Sequence, residues 1–297
     1  MWPYSISAKL RFGVSIAKEL NGEIISADSM QIYKEMNIGT AKPTVEEMQG
    51  VPHHLIDFVE PDKEYNVSLY REECLKTIKD IISRGKTPII VGGTGLYVNT
   101  IVNGVEFSNI ETDELYRKEL EKLAKEKGAD YLFEELKIVD PESANKIEKN
   151  NIRRVIRALE IYKTTGKTKS RLDKESIKET EFDFLIYGIL WDREKLYDRI
   201  NFRVDQMIKD GLVLEVERLQ KKYDISKTAL QGLGYKEVIS YLNHEISYEE
   251  MIETIKMESR RYAKRQMTWF KKTNGIEWLD GENKEKMIKK IVSDYSN

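Results

Sequence analysis

Lys86-Thr87-Pro88-Ile89-Ile90-Val91-Gly92-Gly93-Thr94-Gly95 is a short apolar run that ends in a glycine turn. Its length, its β-branched residues and the glycines that close it read as a buried strand. Upstream, Glu23-Ile24-Ile25-Ser26-Ala27 is a second strand of the same kind. Between the two, Tyr70 to Arg84 keeps Tyr70, Cys74, Ile78, Ile81 and Ile82 on one helical stripe, and Gly85 stops it. A further helix, Phe12 to Leu20, precedes the first strand and ends at Asn21-Gly22. Strand, helix, strand and glycine turn in this order imply a parallel sheet in an α/β fold.

Beyond this core the chain changes character. Thr112 to Arg171 is strongly charged and helical without a convincing strand; Asp113 to Lys127 and Asn151 to Thr164 are its clearest helices, with Asp140-Pro141 between them. Phe182 to Leu190 returns to strand character, and the remainder reads as mostly helical, broken at Gly211, Gly232, Gly234 and Gly275. The expected organisation is an α/β core of residues 1–110 and 182–297 around a helical insertion, 111–181.

Composition narrows the function. Of 297 residues, 40% are hydrophobic, enough for a sizeable core. Lys plus Arg is 49 against 51 Asp plus Glu, a net charge of -2, which excludes a uniformly basic coat for nucleic acid. One cysteine, Cys74, excludes a disulfide framework and a cysteine-rich metal site. No apolar run has the length of a membrane span, and Met1 to Lys9 lacks the apolar core of a signal peptide. A cytoplasmic protein without a membrane partner is expected.

Five strings could carry chemistry. Ser26-Ala27-Asp28-Ser29-Met30-Gln31 places a carboxylate at the end of a parallel strand, where open α/β sheets hold ligands; it could take a proton, hold a metal, or cap a helix. Gly39-Thr40-Ala41-Lys42-Pro43 has the glycine, hydroxyl and lysine of a phosphate loop, or of an ordinary turn. Val91 to Tyr97 puts glycines between strand and helix, leaving amides for an anion or allowing tight packing. Arg153, Arg154 and Arg157 share one helix; Arg153 and Arg157 share a face that phosphates or Glu148 and Glu160 could claim. Arg260 to Lys272 holds six basic residues and three aromatics in thirteen positions, with Arg261, Lys264, Arg265 and Thr268 on one side. His53-His54 has no third ligand nearby and reads as structural.

Together, the strings Leu20–Tyr33, Ile38–Pro43, Pro52–Asp57, Val91–Tyr97, Arg154–Glu160, Gly232–Glu237 and Tyr262–Phe270 resemble the tRNA dimethylallyltransferase (tRNA isopentenyltransferase) family in order and spacing. The resemblance implies a P-loop-kinase-like core with a helical insertion that grips the tRNA anticodon stem-loop. It implies transfer of a dimethylallyl group from its diphosphate, with Mg²⁺, to N6 of adenosine at tRNA position 37. Asp28 would be the general base, Thr94 a contact to the target nucleotide and Arg260 a cation for the leaving group. Lys9, Gly92 and Gly93 would hold the diphosphate. Asp28, Ser29, Met30, Gln31 and Thr94 would meet the tRNA, as would Arg153, Arg154, Val155, Ile156 and Arg157 of the insertion and Arg261, Lys264 and Arg265. A monomer is expected. Two other readings stay open: an enzyme for free AMP or ADP, and a non-catalytic tRNA-binding remnant. The insertion speaks against the first, since a free nucleotide needs no anticodon clamp.

The N-terminus departs from the family. On an ungapped reading Pro3, Ala8, Lys9 and Leu10 fall on the pattern G-x-x-x-x-G-K-[ST], so only the lysine is kept and Leu10 replaces the Mg²⁺-binding hydroxyl. The strand before that loop is also missing. TGG CCC TAC AGC is an allowed coding of Trp2-Pro3-Tyr4-Ser5, and one base later it reads Gly-Pro-Thr-Ala, the family's loop opening. A shifted frame or misassigned start is the expected cause, and the chain as written is expected to bind tRNA better than it transfers the prenyl group.

Overall fold

The computed structural model describes residues 8–106, 110 and 113–296, with Ala8, Lys9 and Leu10 described by backbone alone. Pro3 and the other loop positions before Ala8 lie outside the described residues. The chain forms two compact units, one running to Val102 and resuming at Phe182, the other Asn103–Glu181. No helix among the described residues is long and apolar enough to cross a membrane.

The first unit opens with α1 (Ala8–Glu19), β1 (Gly22–Ala27), α2 (Val45–Met48), β2 (His53–His54), α3 (Val67–Ser83), β3 (Thr87–Gly92) and α4 (Gly95–Val102). β1 lies at the centre of a parallel sheet ordered β2-β1-β3, in register Ile24 to His53 and Ile24 to Ile89. Burial on both faces requires apolar residues at successive positions, and Ile24, Ile25 and Ala27 are fully buried. α3 starts where the Asn66 side chain accepts from the Ser68 and Leu69 amides, at 2.9 and 3.0 Å, and lays Tyr70, Cys74, Ile78 and Ile81 on the sheet.

One charged residue interrupts the core strand. Glu23 is 2% exposed and accepts from Arg84 at 2.6 and 2.8 Å, from Lys86 at 2.7 Å and pairs with His54 at 2.7 Å. The Arg84 hydrogen bonds hold its carboxyl far below the usual carboxylate range, against the opposing effect of burial. His53 Nδ1 lies 2.8 Å from the Val51 carbonyl. The histidine pair is thus tied into the sheet edge.

The second unit holds α5 (Glu114–Lys127), α6 (Ala129–Val139), α7 (Pro141–Lys146), α8 (Ile152–Thr165) and α9 (Lys169–Glu175). Its core is its own: Leu120, Leu132, Leu136, Val155, Ile156 and Leu159 pack together. Asp140 caps α7 through the Ser143 amide at 3.0 Å and takes the Ser170 amide at 2.9 Å, joining α7 to α9.

The chain returns to the first unit with β4 (Ile186–Leu190), α10 (Arg193–Lys209), α11 (Leu212–Lys222), α12 (Tyr235–Leu242), α13 (Tyr248–Phe270), β5 (Ile276–Asp280) and α14 (Lys284–Ser296). β4 and β5 pair in parallel from Ile186 with Ile276 to Leu190 with Asp280. Among the described residues this pair is separate from the three-stranded sheet.

The α/β class, with parallel strands flanked by helices, is as the sequence indicates. The details differ in three places. α1 begins at Ala8, one turn before Phe12. β4 is confined to Ile186–Leu190, because Phe182 and Phe184 pack against the α3 and α4 core instead of entering the sheet. β5 lies in a stretch read as helical: Ile276-Glu277-Trp278-Leu279-Asp280 is short and acidic, and its pairing with β4 decides its state.

Candidate active site

The turn after β1 is built by Asp28. Its Oδ1 accepts from the Met30 amide at 2.9 Å and the Gln31 amide at 3.3 Å, a carboxylate closing its own turn. Among the described residues no donor holds Oδ2. One oxygen fixes the side chain and the other is left to work, so the capping and chemical readings of Asp28 are compatible.

Thr94 joins this turn to the one after β3. Its Oγ1 accepts from the Ser29 amide at 2.9 Å and donates to Ser29 Oγ at 3.3 Å. The glycines around it serve packing. A Cβ on Gly92 would lie 2.1 Å from the Ala27 carbonyl oxygen, and one on Gly95 2.4 Å from the Trp269 ring. The expectation that the Gly92-Gly93 turn offers its amides to a diphosphate is corrected here. The Gly93 and Thr94 amides both donate to the Ala27 carbonyl, at 3.2 and 3.0 Å, and the Gly93 carbonyl accepts from Gln266 at 2.8 Å.

The second phosphate-loop candidate is corrected too. The amides of Asn37, Ile38 and Gly39 turn onto Glu215 of α11, at 3.0, 2.9 and 3.2 Å. A carboxylate of the chain itself takes the anion's place. Lys42 donates to the Tyr33 carbonyl and to Asp57, both at 2.6 Å.

Arg260 was expected to serve the leaving group, and a second arginine, Arg203, lies within electrostatic reach of Asp28. Arg260 donates to Asn201 at 2.5 Å, bracing α13 on α10. Arg203 of α10 is half-buried: burial lowers its proton affinity, and the charges of Asp28 and Glu47 oppose this only in part. Its Nε is buried without a hydrogen-bond partner among the described residues. Tyr262 borders the same site. Burial raises its phenol and the Asp28 charge adds to this, while hydrogen bonds with Gln266 and Thr94 act the other way. Arg203 and Glu215 escaped the sequence reading, and Tyr262 and Gln266 entered it only as members of the Arg260–Lys272 string. An arginine in an amphipathic helix carries no signal that separates a solvated face from a buried one.

Other expected contacts scatter. Gln31 is spent inside the fold, donating to the Thr40 and Ala41 carbonyls at 3.3 and 3.2 Å. Met30 lies against Gly232. Arg261 pairs with Glu258 at 2.6 Å, Arg265 lies over the Tyr262 ring at 5.7 Å, and Lys264 is exposed. In the second unit Arg153 and Arg154 are exposed, whereas Val155 and Ile156 are only 1% and 5% exposed and belong to the core. These two side chains are withdrawn as tRNA contacts. Arg157 pairs with the buried Glu160 at 2.6 Å, and Arg117 pairs with the same carboxylate at 2.9 Å. Lys9 and Leu10 lie on the first turn of α1 by backbone.

The model of the family described as IPP transferase matches residues 31–273. The tRNA dimethylallyltransferase of Acetivibrio thermocellus is 52% identical over 290 residues, 96% of this chain and 93% of that protein. Its counterpart in Thermoanaerobacter sp. is 53% identical over 293 residues, again 96% of this chain and 93% of that protein. Among solved structures, the full-length tRNA isopentenylpyrophosphate transferase of Bacillus halodurans aligns with TM-score 0.72 and 42% identity, covering 97% of this chain and 92% of that one. A eukaryotic dimethylallyltransferase described as acting on tRNA aligns with TM-score 0.76 and 34% identity, covering 92% of this chain and 71% of that one. The likeness spans both units and agrees with the P-loop-kinase-like core. On these matches the chain belongs to the IPP transferase family, that of the tRNA dimethylallyltransferases.

Proposed function

We propose that this chain transfers the dimethylallyl group of dimethylallyl diphosphate to N6 of the adenosine at position 37, beside the anticodon of tRNA. The observation that carries the chemistry is the anchored carboxylate of Asp28 at the end of β1, whose Oδ1 closes the turn through the Met30 and Gln31 amides. An exocyclic amine is a weak nucleophile because its lone pair is shared with the ring. As N6 forms its bond to the allylic carbon, Asp28 Oδ2 accepts the N6 proton. The bond from that carbon to the diphosphate oxygen breaks, and the electron pair leaves with the diphosphate. Arg203 offsets the negative charge that grows there. Thr94 and Ser29 hold the rim on which the base would be seated, and flipping that base out costs a few kcal/mol that its pocket must return.

Among the described residues no clustered set of side-chain donors fits Mg²⁺. Position 10 is leucine, which has no ligating oxygen, and among the described residues no three His, Cys, Asp or Glu side chains gather. The step therefore uses the chain's own groups. The exposed Arg153 and Arg154, with Arg261, Lys264 and Arg265, supply cations suited to the phosphates of the anticodon stem-loop. The protein works as a monomer in the cytoplasm.

The test is single-turnover transfer from dimethylallyl diphosphate to tRNA and to AMP, for the wild type and Asp28→Asn. Transfer to tRNA alone, lost in the variant with tRNA binding kept, is the expected result. Transfer to AMP at equal efficiency would overturn the substrate, and an active Asp28→Asn would overturn the base.

A further inference from the structure

Glu215 belongs to no string that marks the site, yet it is 4% exposed and accepts four hydrogen bonds. Three come from consecutive amides, Asn37, Ile38 and Gly39, and the fourth from the Tyr235 hydroxyl at 2.7 Å. A buried carboxylate on α11 thus fixes the loop that follows the Asp28 turn. The anchoring is tight, since a Cβ on Gly39 would lie 2.4 Å from the Tyr235 ring. The loop in turn holds Gln31: the Thr40 and Ala41 carbonyls accept from Gln31 Nε2, and Ser26 Oγ donates to Gln31 Oε1 at 3.4 Å. The Gln31 amide then donates to Asp28 Oδ1.

We propose that Glu215 is a positioning residue for Asp28, acting through the 37–41 loop and Gln31. The proposal rests on the reading of Asp28 as the base. The chain of contacts runs carboxylate, loop amides, loop carbonyls, Gln31 side chain, Gln31 amide, Asp28 carboxylate. Three of these links are hydrogen bonds and the other two run through the covalent chain, so loosening the first frees the last. The site needs this support because the Asp28 turn has no regular secondary structure of its own. A carboxylate suits the anchor, since all four of its neighbours are donors; an amide would turn an NH₂ toward at least one of them.

The experiment compares Glu215→Gln, Gln31→Ala, their double variant, Asp28→Asn and wild type in two measurements. The first is amide hydrogen exchange at Met30, Gln31 and Asn37 to Gly39. Glu215→Gln should expose the 37–39 amides and also those of Met30 and Gln31, which Glu215 does not touch. Faster exchange at 37–39 with unchanged exchange at 30 and 31 would overturn the proposal, whether or not transfer is detected. The second is transfer rate. Glu215→Gln and Gln31→Ala should each slow it on the order of 10- to 100-fold with little change in KM for tRNA, as a misplaced reacting group does. The double variant should lose little more than either single, because both cut one chain. Fully multiplied losses would show two independent effects and overturn the proposal. If Asp28→Asn loses transfer while a folded Glu215→Gln keeps it, the base stands and the positioning role falls. If Asp28→Asn keeps transfer, both fall. Should Glu215→Gln not fold, Tyr235→Phe removes one of the four bonds and keeps the ring; its exchange at 30 and 31 then decides by the same criterion.

Discussion

At the scale of single residues, one carboxylate and two guanidinium groups set the expectations. Glu23 has its folded carboxyl held below the ordinary value of 4.5, so its contribution is full above that pH and fades as pH falls through the folded value. Glu23→Gln should cost about 2 kcal/mol near neutrality, below the cost of breaking a fully buried pair because Arg84 and Lys86 reach water. Urea unfolding at pH 7 and at pH 3 checks this: the gap between wild type and variant should narrow in acid. A gap that grows in acid would reverse the sign of the argument. For the leaving group, Arg203→Met should lower transfer by roughly 100-fold or more, as loss of one positioned charge does. Arg260→Ala should act mainly on stability through its bond to Asn201. Kinetics against dimethylallyl diphosphate for both variants decide which arginine serves the diphosphate; a larger loss for Arg260→Ala would restore the sequence reading.

At the scale of elements, the glycine turns act through packing. Gly95 opens α4 against the Trp269 indole of α13, with room for hydrogen alone. Gly95→Ala should rotate the indole away and destabilise the first unit by about 1–2 kcal/mol, the usual cost of one methyl too many. Thermal unfolding and indole fluorescence measure it; an unchanged melting temperature would show that α13 yields freely. The elements also show what was readable in advance. β1, α3 and β3 were legible because each carries an apolar pattern with a glycine or asparagine boundary. β5 was not, since five acidic and apolar residues become a strand through β4 alone. Asp28 and Thr94 were legible as residues of the turns that follow β1 and β3. Arg203 and Glu215 were not singled out, because only their tertiary surroundings distinguish them from the many charged residues on helices.

At the scale of the whole molecule, charge is balanced globally and basic only in places, with a net charge of -2. Binding of tRNA should still fall steeply with salt, since each phosphate contact releases counterions locally. Replacing both Arg153 and Arg154 by Ala should reduce the slope by roughly 1–2 units. Arg157→Ala should act differently. It leaves the buried Glu160 with one partner fewer, so it should lower the stability of the Asn103–Glu181 unit. Binding titrations across salt, beside melting curves, separate the two effects. A full slope after loss of Arg153 and Arg154 would move the tRNA surface elsewhere.

Sequence alone determined the class of fold, the family resemblance and the carboxylate at the end of β1, because each is written in local order and spacing. Tertiary structure alone decided which charges matter. Helical periodicity put Arg153 to Arg157 on one helix, but packing sent Val155 and Ile156 inward and gave Arg157 to Glu160. The Gly39 to Lys42 string has the composition of an anion loop, and its anion turned out to be Glu215, 176 residues downstream of Gly39. Burial and partnership are properties of residues far apart in the chain, and hydrogen bonds between such residues leave no mark on the spacing of either.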